Sequence, residues 1–326
     1  MGDHVMIIGA TGLVGNALLR AWKARGDRVS AATYHCHASG GFLQLDMQDE
    51  TRVRAMLAET RPSLVAVPAA NPYVDYCELN PEETRRVNVE GTLNVARACR
   101  EIGARMIFFS SDYVFDGVKG IYTEEDAPSP LNEYGRQKVA AEAGVLAYDG
   151  RNLVLRASGA YGWQWEPKNF VLQVKSRLSE GKTMRVASDL RYNPTYVENL
   201  AEITVALADT GAEGIFHVVG AEEIGRHEFA VRAARAFGLD ARLIEAVPAV
   251  RLGSTIPRPK ASILRTDKVR AALAVQPVGV DEGLRRMLAL EPAWREYALT
   301  LPDPAAKASP LRRDIFDGGI ASRPGI

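Results

Sequence analysis

The chain has 326 residues, 40 of them basic and 40 acidic, for a formal net charge of zero; 47% are hydrophobic and 25% charged. A general nucleic-acid binder carries a basic excess and a membrane protein carries an apolar run of about twenty residues, and the sequence has neither. Its length suits one large domain or two smaller ones. Met1-Gly-Asp-His-Val5 leads directly into the first strand without a signal-peptide pattern, and the three cysteines, Cys36, Cys77 and Cys99, are odd in number and far apart. Reduced thiols in a cytoplasmic protein are the expectation.

Val5-Met-Ile-Ile8 is a short apolar run ending in Gly9-Ala-Thr-Gly12-Leu-Val-Gly15. A helical pattern follows through Ala17, Leu18, Leu19, Ala21 and Trp22 to a stop at Gly26. In such a strand, turn and helix the glycines permit close approach of backbone to a pyrophosphate, and the free N–H groups of the helix face its charge. Gly9, Thr11, Gly12, Leu13 and Val14 are therefore predicted to line a dinucleotide. The second strand, Arg28-Val-Ser-Ala-Ala-Thr33, ends in Tyr34-His35-Cys36-His37 and not in the acid that holds a ribose 2′-hydroxyl. With no acid to repel a 2′-phosphate, NADP is preferred and NAD left open, with Tyr34 and His35 beside it. His35-Cys36-His37 looks like a metal cluster. Alternate residues of an extended segment point to opposite faces, however, and no second cluster completes a tetrahedral set, so no metal is expected.

Phe42-Leu-Gln-Leu45 leads to Asp46-Met47, placed to touch the adenine. Leu64-Val-Ala-Val67 precedes Pro68-Ala69-Ala70-Asn71, which joins the expected cofactor rim. Pro81-Glu-Glu opens a long helical pattern to about Ile102, with Asn88 in its middle, where it could bend the helix or hold a water near the chemistry. Met106-Ile-Phe-Phe109 reads as a buried strand that leaves Ser110 and Ser111 at its carboxyl end. Asn132 suits the N-cap of a helix on which Tyr134 and Lys138, four residues apart, share a face. A neighbouring ammonium favours a phenolate, so Lys138 is predicted to draw the phenol's pKa toward neutrality. Hydroxyl, phenol and ammonium in one cleft suit proton exchange at a carbonyl oxygen.

Strands alternating with helices through Asn152-Leu-Val-Leu155 predict an α/β fold, a doubly wound parallel Rossmann sheet that binds ligands beyond its strands' carboxyl ends. After Ser158 the alternation loosens. Tyr161-Gly-Trp-Gln-Trp165 is aromatic, Asn169-Phe170 starts a helix, and Arg226 to Phe237 reads as a helix closed by Gly238. Met184-Arg-Val-Ala187, Ile215-Phe-His-Val-Val219 and Leu243-Ile-Glu-Ala-Val247 read as strands. The expected organisation is a dinucleotide-binding domain over 1–158, to which a segment near 190–220 returns, and a smaller C-terminal substrate-binding domain over 159–292. An extended tail over 293–326, rich in Pro, Asp, Arg and Gly, completes it.

These residues resemble the extended short-chain dehydrogenase/reductases and, more narrowly, their dTDP-4-dehydrorhamnose reductase-like branch. The parts that carry the resemblance are the glycine turn, Val74-Asp75 with Glu78-Leu-Asn-Pro81, Asn88-Val-Glu-Gly91-Thr92 and Ser111-Asp-Tyr-Val-Phe-Asp-Gly117. Tyr122-Thr-Glu-Glu-Asp126, Tyr134-Gly-Arg-Gln-Lys138, Asn193-Pro-Thr195 and Arg258-Pro-Lys260 continue it. The resemblance implies that Tyr134 gives a proton to a keto oxygen as hydride arrives from a nicotinamide. Lys138 would lower the phenol's pKa and hold the nicotinamide ribose, and Ser111, where the branch commonly has Thr, would bond the substrate oxygen. It also implies a nucleotide-sugar substrate near Asp112, Val114, Tyr161, Asn169, Arg191 and Arg258, with Arg258 toward the diphosphate, and leaves a homodimer open. Related dehydratases carry an Asp-Glu pair after the Ser/Thr; here Asp112 is followed by Tyr113, so elimination lacks its second carboxylate and reduction needs none. Two other readings stay open. One is a non-catalytic subunit like the regulatory subunit of methionine adenosyltransferase; the other is a reductase of a different carbonyl.

Overall fold

The computed structural model describes residues 4–33, 41–164, 168–253 and 255–300. The chain opens with β1 (His4–Ile8), α1 (Leu13–Ala24), β2 (Arg28–Thr33), β3 (Phe42–Gln44), α2 (Glu50–Thr60) and β4 (Leu64–Val67). α3 (Val74–Leu79) and α4 (Pro81–Arg85) follow, and α4 runs through a π-helical turn, Arg86–Gly91, into α5 (Thr92–Ile102). β5 (Arg105–Ser111) ends in a 3-10 turn, Asp112–Val114; then come β6 (Ile121–Tyr122), α6 (Glu133–Tyr148), β7 (Leu153–Ala157) and β8 (Ala160–Tyr161). The rest supplies α7 (Phe170–Ser179), β9 (Met184–Ala187), β10 (Arg191–Tyr192), β11 (Thr195–Tyr196), α8 (Val197–Thr210) and β12 (Gly214–His217). Last come β13 (Ile224–Gly225), α9 (Arg226–Ala236), β14 (Ile244–Val247), β15 (Ala261–Leu264), α10 (Asp267–Ala272) and α11 (Val280–Ala298).

Seven strands pair in parallel in the order β12-β7-β5-β4-β1-β2-β3. The direction of strand addition reverses between β1 and β4, the switch point where such sheets bind ligands. The strands are apolar throughout because both faces are covered. Val5 and Ile7 of β1 face one buried cluster with Leu64, Ala66, Ile107 and Phe109, closed by Leu18 of α1 and Leu200 of α8. Met6 and Ile8 face the other with Val65, Val67, Met106 and Phe108, closed by Met56 of α2, Val95 of α5 and Val145 of α6.

A second, four-stranded sheet has the order β13-β10-β15-β6, while β11 pairs with β8 and β14 with β9. Its neighbouring core gathers Tyr161, Trp163, Val171, Phe229 and Leu284. The chain passes between the two units more than once. β6 joins the second sheet from within the first 158 residues, whereas β12 adds to the edge of the first.

The expected tail requires a correction at its start. Residues 293–298 continue α11, with Pro292 inside the helix on its exposed side. A helix-interior proline removes a backbone bond; packing offsets it here. Trp294 is buried, Arg20 of α1 lies 4.9 Å from its ring centroid and 5.2 Å from that of Tyr297, and Asn16 Nδ2 donates to Tyr297 Oη at 3.0 Å. Residues 301–326 lie outside the described part.

Candidate active site

The turn between β1 and α1 is packed backbone on backbone. Gly9 has φ +98°, and a Cβ there would stand 2.8 Å from Ala69 N; one on Gly15 would stand 2.1 Å from Gly9 O. Thr11 and Thr33 hydroxyls meet at 2.9 Å, tying the turn to the end of β2. Gly12 caps α1 without a side-chain bond, and the first turn holds no acidic residue. The first N–H groups of the helix are thus left for an anion, and Leu13 and Val14 lie half-buried beside them. Gly15→Ala is expected to lower the urea midpoint by an overpacking cost of about 1–3 kcal/mol. Gly12→Ala, whose Cβ clears Gly9 O at 3.4 Å, should cost distinctly less; equal midpoints for the two variants would count against this packing.

Ser110 and Ser111 finish β5 on the same rim, and α6 lies over them. Asn132 caps α6 by accepting from Gly135 N at 3.0 Å, and a Cβ on Gly135 would stand 2.2 Å from Tyr113 O, so helix and 3-10 turn are in close contact. The half-buried Tyr134 ring meets Tyr113 edge-on at 5.8 Å, and the Ser111 hydroxyl faces its phenol. Lys138 Nζ donates to Phe109 O at 2.8 Å and stands 4.7 Å from the Phe108 ring centroid and 5.8 Å from that of Tyr134. Burial pushes the Lys138 ammonium down to about 8. Burial also pushes the Tyr134 phenol up, with the Ser111 hydroxyl opposing it. This corrects the expectation that Lys138 draws the phenol toward neutrality: in the protein alone desolvation outweighs the nearby charge, and the ammonium is engaged by a backbone carbonyl.

Asn88 lies in the π turn, a frequent mark of functional helices. Its Oδ1 accepts from Asn71 N at 2.7 Å, and its Nδ2 donates to Asn71 O at 3.1 Å and to Gln137 Oε1 at 2.8 Å. Asn88 therefore ties residues 69–71 to α6, one position before Lys138. Gln137, which donates on to Thr84 Oγ1 at 2.9 Å, carries no sequence signal beyond its place between Tyr134 and Lys138. Asp46 Oδ1 accepts from Gln48 N at 2.9 Å, and buried Met47 packs where a Cβ on Gly91 would stand 2.9 Å from its own. Ala69 and Ala70 are half-buried on this rim. Tyr34 and His35 lie outside the described residues.

The residues expected near the substrate do not form one set. Asp112 is buried beside Ser111, its Oδ2 accepting from Ser262 Oγ at 2.5 Å. Arg258 Nη2 donates to both carboxylate oxygens of Asp75 on α3 at 2.9 Å, bridging the rim. The other four make contacts within the protein. Val114 is core with Phe115, Tyr122 and Leu264. Tyr161 is 1% exposed with its ring 5.2 Å from that of Phe229. Asn169 caps α7, accepting from Leu172 N at 3.3 Å. Arg191 is exposed and pairs with Glu223 at 2.8 Å. An aromatic or polar residue beside a cleft reads the same in sequence whether it lines the cleft or packs behind it.

Extended short-chain dehydrogenase/reductases share this strand order and rim, and the chain is built as one of them. More narrowly, it matches the RmlD substrate binding domain family over residues 3–291 and belongs to that family. It is 32% identical over 302 residues to a probable low-salt glycan biosynthesis reductase of Haloferax volcanii, covering 90% of this chain and 99% of that one. It is 30% identical over 306 residues to methionine adenosyltransferase 2 subunit beta of Xenopus tropicalis, covering 90% and 91%. Among solved structures, dTDP-4-dehydrorhamnose reductase of Bacillus anthracis in complex with NADP is similar at TM-score 0.82 and 27% identity, over 89% of this chain and 99% of that one.

Proposed function

We propose that the chain reduces the keto group of a nucleotide-linked 4-keto-6-deoxy sugar with NADPH. The observation that carries this reading is the meeting of Ser111, Tyr134 and Lys138 at the carboxyl end of β5, on the rim that also holds the glycine turn. Bound along that turn, NADPH supplies the hydride. The bare first turn of α1 takes the pyrophosphate, and Lys138, held by one donor on Phe109 O, keeps two N–H groups for the nicotinamide ribose. Tyr134 gives its proton to the keto oxygen. Arg258, paired with Asp75, is the candidate for the diphosphate. The absence of a carboxylate at Tyr113 favours reduction over elimination. Mixing the protein with dTDP-4-dehydro-L-rhamnose and NADPH and following the absorbance of the reduced cofactor tests the reading; an inert wild-type protein would end it.

Lys138 gives a pH signature with two opposite signs. The folded chain releases this proton near pH 8, below the 10.5 of a free lysine. A rate that needs the ammonium falls as pH rises past about 8, read as kcat/KM across that range. The stability contribution rises over the window from about 8 to 10.5, because there only the unfolded chain holds the proton. A kcat/KM that stays flat well above pH 8 would rule out this role.

The likeness to the adenosyltransferase subunit favours a second reading, a dinucleotide-binding regulatory subunit. Affinity capture from the native cell separates the two: a stoichiometric adenosyltransferase partner supports the subunit, a sugar-nucleotide pathway enzyme the reductase.

A further inference from the structure

Asp112 is 4% exposed, and among the described residues no Lys, Arg or His forms an ion pair with it. Its neighbours are hydroxyls. Ser262 Oγ donates to Oδ2 at 2.5 Å, Ser111 Oγ lies 3.1 Å from Oδ1, and buried Ser158, without an aligned partner, sits beside them. The ionisable groups that face it are phenols: Tyr113 on its own turn, Tyr134 on α6 and Tyr192 on β10, with Arg226 and Arg258 acting on those phenols. A dry, unpaired carboxylate is strongly disfavoured against the neutral acid.

Direction then follows from counting donors and lone pairs. With Oδ2 receiving the Ser262 proton and Ser158 out of alignment, the acid proton is placed on Oδ1, pointing at Ser111 Oγ, so that Ser111 accepts there once the acid is neutral. A serine hydroxyl has one proton and two lone pairs. Those of Ser111 take Asp112 and the N–H of Tyr113, 3.2 Å away, which leaves its own proton to turn to the nearby phenol in place of the substrate oxygen that the resemblance implied. We propose that Ser262, Asp112 and Ser111 form a one-way chain of hydrogen-bond donors that ends on Tyr134 Oη, with Ser262 as the positioning residue that sets its direction. The raised proton affinity that burial gives Asp112 agrees with it.

The chain's use rests on the reductase reading. When the O–H bond of Tyr134 breaks and its proton goes to the keto oxygen, the electron pair stays on the phenolate, and the Ser111 proton is already aimed at it. Ser262 stands on β15 in the second sheet and Asp112 just after β5 of the first, so the phenol is set by a residue of the other sheet.

Four variants test the chain. Asn at Asp112 can still accept from Ser262 and donate to Ser111, so Asp112→Asn should lose about threefold in kcat and Asp112→Leu about a hundredfold. Ser262→Ala should lose about tenfold, with Ser262→Thr recovering most of it and the NADPH dissociation constant unchanged in all four. Asp112→Asn as slow as Asp112→Leu, or Ser262→Thr as slow as Ser262→Ala, overturns the proposal. Carbon-13 spectra of carboxyl-labelled aspartate, with Asp112 assigned by its loss in Asp112→Asn, need no turnover. A protonated-acid shift at neutral pH is expected, and a carboxylate shift overturns the chain. An inert wild type that still shows the acid shift removes the reductase reading alone.

Discussion

Tyr134→Phe should give a folded protein that binds NADPH as tightly as the wild type and turns over roughly 10²–10⁴-fold more slowly, the range over which positioned acids act. A thousandfold loss is about 4 kcal/mol of barrier. The substitution removes one oxygen. The ring keeps its edge-on contact with Tyr113 at 5.8 Å, and the cap at Asn132 and the contact of Gly135 with Tyr113 O hold α6 without the phenol. The loss therefore belongs in kcat and not in the midpoint of unfolding. Stopped-flow traces of NADPH oxidation with the keto sugar, beside a fluorescence titration of NADPH, separate the two. A loss below about tenfold would mean that another group supplies the proton.

Glu142→Leu should be the most damaging change to stability. Glu142 on α6 accepts from Arg156 Nε at 3.0 Å and Nη2 at 2.7 Å, and both side chains are almost wholly buried. Arg156 Nη1 already lacks a partner, and the Phe115 ring lies 5.1 Å from the guanidinium carbon. His217, paired with Arg156 across the sheet, is held neutral by burial and by that same cation, which push its imidazole down to about 3. Removing the acid alone strands a buried cation, at about 3–5 kcal/mol, whereas Arg156→Met with Glu142→Leu should restore most of it. Urea midpoints for the single and double variants decide. A double variant no more stable than the single one would show that the pair does not act as a unit.

What the sequence disclosed and what it hid divide along physical lines. Short unbroken apolar runs and the strand, glycine turn and helix at the start are local patterns, and they placed β1, β2, β4, β5 and β7 closely. Asn132 announced α6, and spacing alone put Tyr134 and Lys138 on one side of it. The hidden parts depend on partners far along the chain or on backbone atoms. The acceptor for Lys138 is the carbonyl of Phe109, which no side-chain pattern encodes. Ser262 reaches Asp112 from 150 positions away. Tyr161 sits in an aromatic cluster that sequence cannot tell from a pocket wall, and Pro292 disguised the last turns of α11 as the beginning of a tail.

That last helix carries a burden out of proportion to its place at the margin of the fold. Its final turns form a strut beneath α1: Trp294 and Tyr297 bed the guanidinium of Arg20, which also pairs with Glu198 of α8, and Tyr297 anchors Asn16 one residue after Gly15. Trimming the chain at Pro292 would therefore unsettle the footing of the very turn expected to grip the pyrophosphate, on the far side of the molecule's connectivity from the cut.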